Sequence, residues 1–358
     1  MIDDVLTVLQ KWLWIEDRAG LECILAVAVA SQLPGDPLWA FVVDPPGALK
    51  TEICRSLKAS WVYNLDTLTP ESLVSGFRSK KGRTVDILAD LNGKLLVIKD
   101  FTTILQKQAE RRDELFGRLR AAYDGELVIA YGSGAGRVAR QATFGIIAAV
   151  TPMIDEYMTI HALLGERFIS IRTGYNRRAA IDAALAHQGR EVYMRQEIAE
   201  VVGAALEYWG VKAKHVQQNP AALERIAVLA DMTAILRTPV PRNYRNEVTH
   251  IPEAEVGTRL AKQFQKLAVA LQILGCYTWR HIQRVSFNTI PLRRWRVVKA
   301  LASGQRTTKD LMVALQYPRH TVLSTTEDLW LLGVVERTEG DGFLYQLTPD
   351  FGGVNELL

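Results

Sequence analysis

The sequence predicts an α/β chain: a parallel sheet with helices on both faces, then a helical region, then a C-terminal unit of helices and a hairpin. Three observations carry that expectation. Up to residue 185, apolar runs of strand length alternate with helical stretches, the rhythm of a sheet buried on both sides. From about Ala179 to Phe287 apolar residues recur at spacings of three and four. From 291 to 358 helical stretches lead into a strand, a Gly-Asp-Gly turn and a second strand.

The expected strands of the first region are "LWAFVVD", "KLLVIKDF", "FGIIAAVTP" and "RFISIRT", and "EICRSL" opens a helix after the first. Between the second and third lies "ELVIAYGSGAGRVAR", two extended arms around a glycine-rich tip, which reads as a hairpin. The second region contains "AAIDAALAHQ", "EIAEVVGAALEYWG", "ALERIAVLADMTAILR" and "VGTRLAKQFQKLAVALQILG", all with a helical apolar stripe. The third contains "RRWRVVKALAS", "TTKDLMVAL" and "RHTVLSTTEDLWLLG", then the hairpin "VVERTEGDGFLYQLT", a winged-helix layout. The domain expectation is therefore 1–185, 186–290 and 291–358.

With 48% hydrophobic and 23% charged residues the composition is that of a globular protein. A net charge of +4 permits a polyanionic partner without requiring one. Cys23, Cys54 and Cys276 are odd in number and far apart, which fits neither a disulfide framework nor a zinc pattern. The expected setting is a reducing cytoplasm. Leu21 to Ala30 is too short an apolar run to span a bilayer and reads as a buried helix.

The stretch "FVVDPPGALKTEICRSL" has the form of a phosphate-binding loop: a buried strand, a Pro/Gly turn, then Lys50-Thr51 opening a helix. Backbone amides at a helix start favour an anion, a lysine there reaches the terminal phosphates, and the next hydroxyl holds Mg2+. Asp44, Pro45, Pro46, Gly47, Ala48, Leu49, Lys50, Thr51 and Glu52 are the candidate nucleotide-binding residues. Asp44 and Leu49 occupy places where the usual pattern has glycines, and a buried strand before an ordinary lysine would look similar. The order of the later strand ends adds weight. Asp100 ends the second strand, where an acid binds Mg2+ or polarises water; Thr151 ends the third, near a γ-phosphate; Arg167 is placed to reach a neighbour's phosphates. The plainer alternatives are a helix cap for Asp100, a strand stop for Thr151 and an ion-pair residue for Arg167.

In these motifs and their order the chain resembles the AAA+ ATPases, and within them the minichromosome maintenance helicases and their relatives on mobile elements. That family's loop reads Gly-Asp-Pro-Gly-Thr-Ala-Lys-Ser, also without a glycine before the lysine. "FGIIAAVTP" is similar to its sensor strand and "ERF" to its arginine finger, and the resemblance covers about residues 1 to 290. The resemblance implies ATP and Mg2+ as cofactors, with Thr51 and Asp100 at the metal, assembly into a ring, with a hexamer expected, and DNA as partner. It also implies a second sensor arginine on the lid helix, Arg259 in "TRLAKQFQKLA", and a pore hairpin whose Arg137 and Arg140 track a phosphate backbone.

One departure bears on rate. The family's second strand ends Ile-Asp-Glu-Phe, whereas this one reads Ile98-Lys99-Asp100-Phe101. One carboxylate then does the work of two, and losing a water-polarising group costs a factor on the order of a hundred or more. The expected function is an ATP-hydrolysing DNA motor, slow in turnover; the alternatives are an ATP-switched scaffold and a protein remodeller. Further basic residues are Lys80, Lys81 and Arg83, and, in the C-terminal unit, Arg293, Arg294, Arg296, Lys299, Arg319 and His320. That unit balances eight basic against eight acidic residues, which leaves DNA or protein open as its partner. Trp12, Trp14, Trp209, Trp279, Trp295 and Trp330 read as core at helical spacing.

Overall fold

The computed structural model describes residues 1–75, 86–131, 136–156, 167–216, 223–340 and 342–352. Strands β1 (Trp39–Val43), β2 (Val62–Leu65), β3 (Leu95–Ile98), β6 (Gly145–Val150) and β7 (Phe168–Ile171) form one sheet, and β4 (Glu126–Tyr131) pairs with β5 (Gly136–Gln141) as a separate hairpin. The sheet order is β2–β3–β6–β1–β7 and each pairing is parallel. All five strands therefore deliver their C-terminal ends to the same edge. β2 lies outside the four strands expected from sequence. It is an edge strand of half-buried and exposed residues, so it lacks the apolar run that marks the others.

Alternate side chains face opposite layers, as the two-residue period requires. Ala40, Val42, Val97, Ile147, Ala149, Ile169 and Ile171 join one apolar cluster, and Trp39, Phe41, Ile98, Ile146, Ala148 and Phe168 join the other. The first cluster is built with helices α1 (Ile2–Trp12), α2 (Arg18–Ala30) and α3 (Lys50–Ser56). α2 is buried at every position from Gly20 to Ala30, as expected for an all-round apolar helix trapped between sheet and helices. The second cluster is covered by α4 (Pro70–Leu73), α5 (Thr102–Leu105) and α6 (Ala109–Tyr123). After β7 comes α7 (Arg177–Ala186), which buries no residue. The chain then returns to the first face with α8 (Glu191–Ala213), α9 (Leu223–Arg237), α10 (Thr258–Leu274) and α11 (Trp279–Thr289).

The C-terminal unit is α12 (Leu292–Ala302), β8 (Arg306–Thr307), α13 (Thr308–Leu315), α14 (Arg319–Leu331), β9 (Val335–Gly340), β10 (Gly342–Leu347) and α15 (Pro349–Gly352). Its sheet, ordered β8–β10–β9, is antiparallel. The apolar cluster of α8–α11 runs on into α12 and α14 through Val297, Val298, Val322 and Leu329, so neither 185 nor 290 is a break in the packing. Arg294, read from sequence as part of a basic surface, is instead buried. It donates to the carbonyls of Leu236 (3.0 Å) and Thr238 (2.6 Å) and to Asp328 (2.9 Å), pinning α12 to the chain after α9.

Two of the tryptophans expected in the core are not there. Trp12 and Trp209 are buried, but Trp14 and Trp330 are 44% and 39% exposed, and the Arg337 guanidinium stacks on Trp330 at 3.6 Å. Among the described residues no helix is long and apolar enough to cross a membrane.

Candidate functional site

The loop between β1 and α3 is held from both sides. The Asp44 amide donates to the Val150 carbonyl (3.2 Å), tying the end of β1 to the end of β6. The Asp44 side chain, 2% exposed, accepts hydrogen bonds from the Thr173 hydroxyl (2.8 Å) and amide (3.3 Å) at the end of β7. Burial pushes its carboxyl up to about 6, against the Thr173 hydrogen bonds and the charges of Lys50 and Arg172. In sequence Asp44 stands among the nucleotide-binding residues; in the fold it anchors the loop. Pro46 and Gly47 are exposed at the tip, with Pro45, Ala48 and Leu49 half-buried. Gly47 has φ +78, in the left-handed region that costs other residues about 1–2 kcal/mol.

Lys50 is the first residue of α3 and is buried with Ile53 and Cys54. Its ammonium donates to the Pro45 carbonyl at 2.9 Å, closing the loop on itself. Burial lowers its pKa, while the nearby carboxylates of Asp44 and Asp100 act to raise it. A buried ammonium bonded to a carbonyl rather than to a carboxylate is poised for an anion. Thr51 is half-buried beside it.

Asp100 follows β3 on the same edge and is exposed. Its carboxylate accepts from the Thr102 amide (3.0 Å) at the first residue of α5, from one position before the N-cap Phe101. Lys99 turns the other way and pairs with Asp66 at 2.7 Å beyond β2. That geometry leaves Asp100 as the acid on the loop side of β3. Thr151, half-buried, donates its amide to the Thr102 hydroxyl (3.2 Å), linking the ends of β3 and β6. Lys50, Asp100 and Thr151 thus share one edge, joined by hydrogen bonds between neighbouring strand ends.

Arg172 and Thr173 at the end of β7 belong to the same edge and were not singled out from sequence. Arg172 donates to both oxygens of Asp155 (2.7 and 2.9 Å), and its Nε is buried without a hydrogen-bond partner among the described residues. The signal was available: "RFISIRT" is an expected strand, and parallel strands bring their final polar residues together.

The remaining arginines lie elsewhere. Arg167 precedes β7, hence at the opposite edge of the sheet. It is 7% exposed, pairs with Asp124 at 2.9 Å and lies over the Tyr123 ring at 5.5 Å. Gln263 of α10 bridges the Tyr123 hydroxyl (3.2 Å) and the Arg167 carbonyl (2.9 Å). Arg259, exposed in the first turn of α10, is near enough for its charge to act on Tyr123, whose hydroxyl burial pushes up to about 12. The expected arginine finger and the expected second-sensor arginine therefore both lie by Tyr123, across the sheet from the loop. A cavity of about 800 Å³ opens at this edge, lined by Pro34, Asp36, Asn92, Tyr123, Asp124 and Lys214.

The hairpin arms pair from Glu126–Gln141 to Tyr131–Gly136; residues 132–135 of its tip lie outside the described residues, as do Lys80, Lys81 and Arg83. Arg137 is exposed. Arg140 is not: it binds Asp86, whose side chain is fully buried, through Nε (3.1 Å) and Nη2 (2.9 Å). Its guanidinium serves the fold. Among the described residues no group of three or more His, Cys, Asp or Glu side chains forms a metal cluster. No family model and no curated protein matches the chain. What stands is an α/β protein with a wholly parallel sheet, compatible with a P-loop type of fold.

Proposed function

We propose that this chain is a ring-forming AAA+ protein resembling the minichromosome maintenance helicases, binding ATP and Mg2+ at the β1 loop and acting as a slow motor on DNA. The observation that carries this reading is the meeting of Lys50, Asp100, Thr151, Arg172 and Thr173 at one edge of a parallel sheet. The donor set fits the cofactors. Lys50 would hold the terminal phosphates, and Thr51 with Asp100 would hold Mg2+, a cation that takes one or two protein oxygens beside phosphate and water. When bound, ATP with Mg2+ would supply the phosphoryl group, and Asp100 and Thr151 would orient what attacks it.

Ring assembly is supported by the place of Arg259, exposed in the first turn of α10 and not at its own loop, so that a second copy would bring it to the phosphates. Arg167, buried against Asp124 and Tyr123, is engaged within its own chain and does not add to this support. DNA is supported by the hairpin with exposed Arg137, and the C-terminal helices and sheet have the winged-helix layout for a DNA or protein contact. A second reading, an ATP-switched scaffold on DNA or a partner, is favoured by one observation. Lys99 is engaged with Asp66 and leaves Asp100 as a lone carboxylate.

The test is ATP hydrolysis with and without single- and double-stranded DNA, with strand displacement measured alongside. The motor reading expects DNA-stimulated hydrolysis and displaced strand; hydrolysis without displacement selects the scaffold. Lys50→Ala is expected to lower ATP affinity at least a hundredfold. Unchanged ATP binding would remove the loop from the proposal.

A further inference from the structure

We propose a second anion site beside the loop, taking a phosphoanion about the size of pyrophosphate in a cavity between α3, α8 and the ends of β2 and β3. The cavity, about 300 Å³, is lined by Glu52, Arg55, Lys58, Asn64, Lys99 and Arg195, with Ser56 and Ile198 at its walls. That volume is at the low end for small-molecule sites and suits two linked phosphates better than a whole nucleotide. Glu52, Arg55 and Ser56 share one helical face at spacings of three and four, and Lys50, Ile53 and Cys54 lie on another. The cavity therefore lies on a different face of α3 from Lys50.

Its charge is unbalanced. Four cations face the carboxylate of Glu52 within the cavity and that of Asp66 outside it, an excess of two positive charges. Glu52 is shared: Arg195 grips both its oxygens (3.0 and 2.9 Å) and Arg55 takes Oε1 at 3.0 Å. Lys99 is held by Asp66, and Lys58 has no ion pair among the described residues. Arginines that already hold one carboxylate in a forked geometry present further donors to a second oxyanion. An incoming phosphate would join Lys58 and Lys99 and compete with Glu52 for Arg55 and Arg195.

The test is calorimetric titration of the full chain with pyrophosphate in a Lys50→Ala background, which disables the loop. Binding of one equivalent is expected, weakened about tenfold by Lys58→Ala and strengthened about tenfold by Glu52→Gln. A merely structural Glu52 would not give that gain. Should Lys50→Ala fail to fold, otherwise wild-type chain carrying Lys58→Ala is expected to bind pyrophosphate about tenfold more weakly at one of two classes of site and keep its ATP affinity. Pyrophosphate binding that vanishes with Lys50→Ala, or that ignores both Lys58→Ala and Glu52→Gln, overturns the site. So does a Lys58→Ala defect confined to a short DNA duplex, which would make the cavity a seat for nucleic-acid phosphate.

Discussion

The two edges of the parallel sheet each bury a cation, Arg167 at one and Lys50 at the other, and answer it differently. At the N-terminal edge Arg167 is matched by Asp124, stacked on Tyr123 and fixed through its carbonyl by Gln263. At the C-terminal edge Arg172 is answered by Asp155, but Lys50 is buried yet bonded only to a carbonyl of its own loop. The hairpin repeats the contrast within a few residues: Arg140 is spent on a buried carboxylate, and Arg137 points to solvent. A cation whose charge is answered inside the fold holds the fold together. One left unanswered at the mouth of a loop has an anion to wait for.

The contrast can be broken most forcefully at Arg140. Arg140→Ala strands Asp86 as a buried charge and is expected to destabilise the chain by about 3–5 kcal/mol in urea unfolding. Adding Asp86→Asn should recover much of that loss; a stability change under about 1 kcal/mol would return Arg140 to the surface. Next in size is complementation. Arg259→Ala and Lys50→Ala should each lower hydrolysis on the order of a hundredfold, and mixing the two should restore part of it, because one copy keeps the loop and its neighbour the arginine. No recovery on mixing would place Arg259 at its own loop or at none.

Asp44 tests the loop edge through pH. Its pKa rises from 3.8 to about 6 on folding, so the native state holds the proton more tightly. The resulting stabilisation is complete below pH 4 and lost as pH rises through 6, by roughly 3 kcal/mol at two units of difference. Asp44→Asn keeps an acceptor for Thr173 and does not titrate. Its stability relative to wild type should therefore climb between pH 4 and 7, and parallel curves would deny the burial its effect. The smallest change is Arg137→Ala: weaker DNA binding on all sequences, with a salt dependence shallower by about one phosphate contact. An unchanged slope would take the hairpin away from DNA.

Much of the fold was legible because buried parallel strands announce themselves. "LWAFVVD" and "FGIIAAVTP" have few other uses, and α2 could only be a buried helix. β2 was not legible, since an edge strand of half-buried residues has no continuous apolar run. Of the candidate site, Lys50, Asp100 and Thr151 could be put on one edge from strand order alone, and Arg172 and Thr173 were missed. What could not be read was the company each side chain keeps. Asp86, Asp124 and Asp328 lie 54, 43 and 34 positions from the arginines they neutralise, and nothing local marks them as partners.

The buried Arg294 has a mechanical consequence. It grips the carbonyls of Leu236 and Thr238, and the residue between them, Arg237, donates to the carbonyl of Phe168 at 3.1 Å, next to Arg167. The C-terminal unit is thus geared, not tethered, to the strand that starts at Arg167. A tilt of that unit would reach the far rim of the sheet through two hydrogen bonds, and in the proposed ring that rim would face a neighbour.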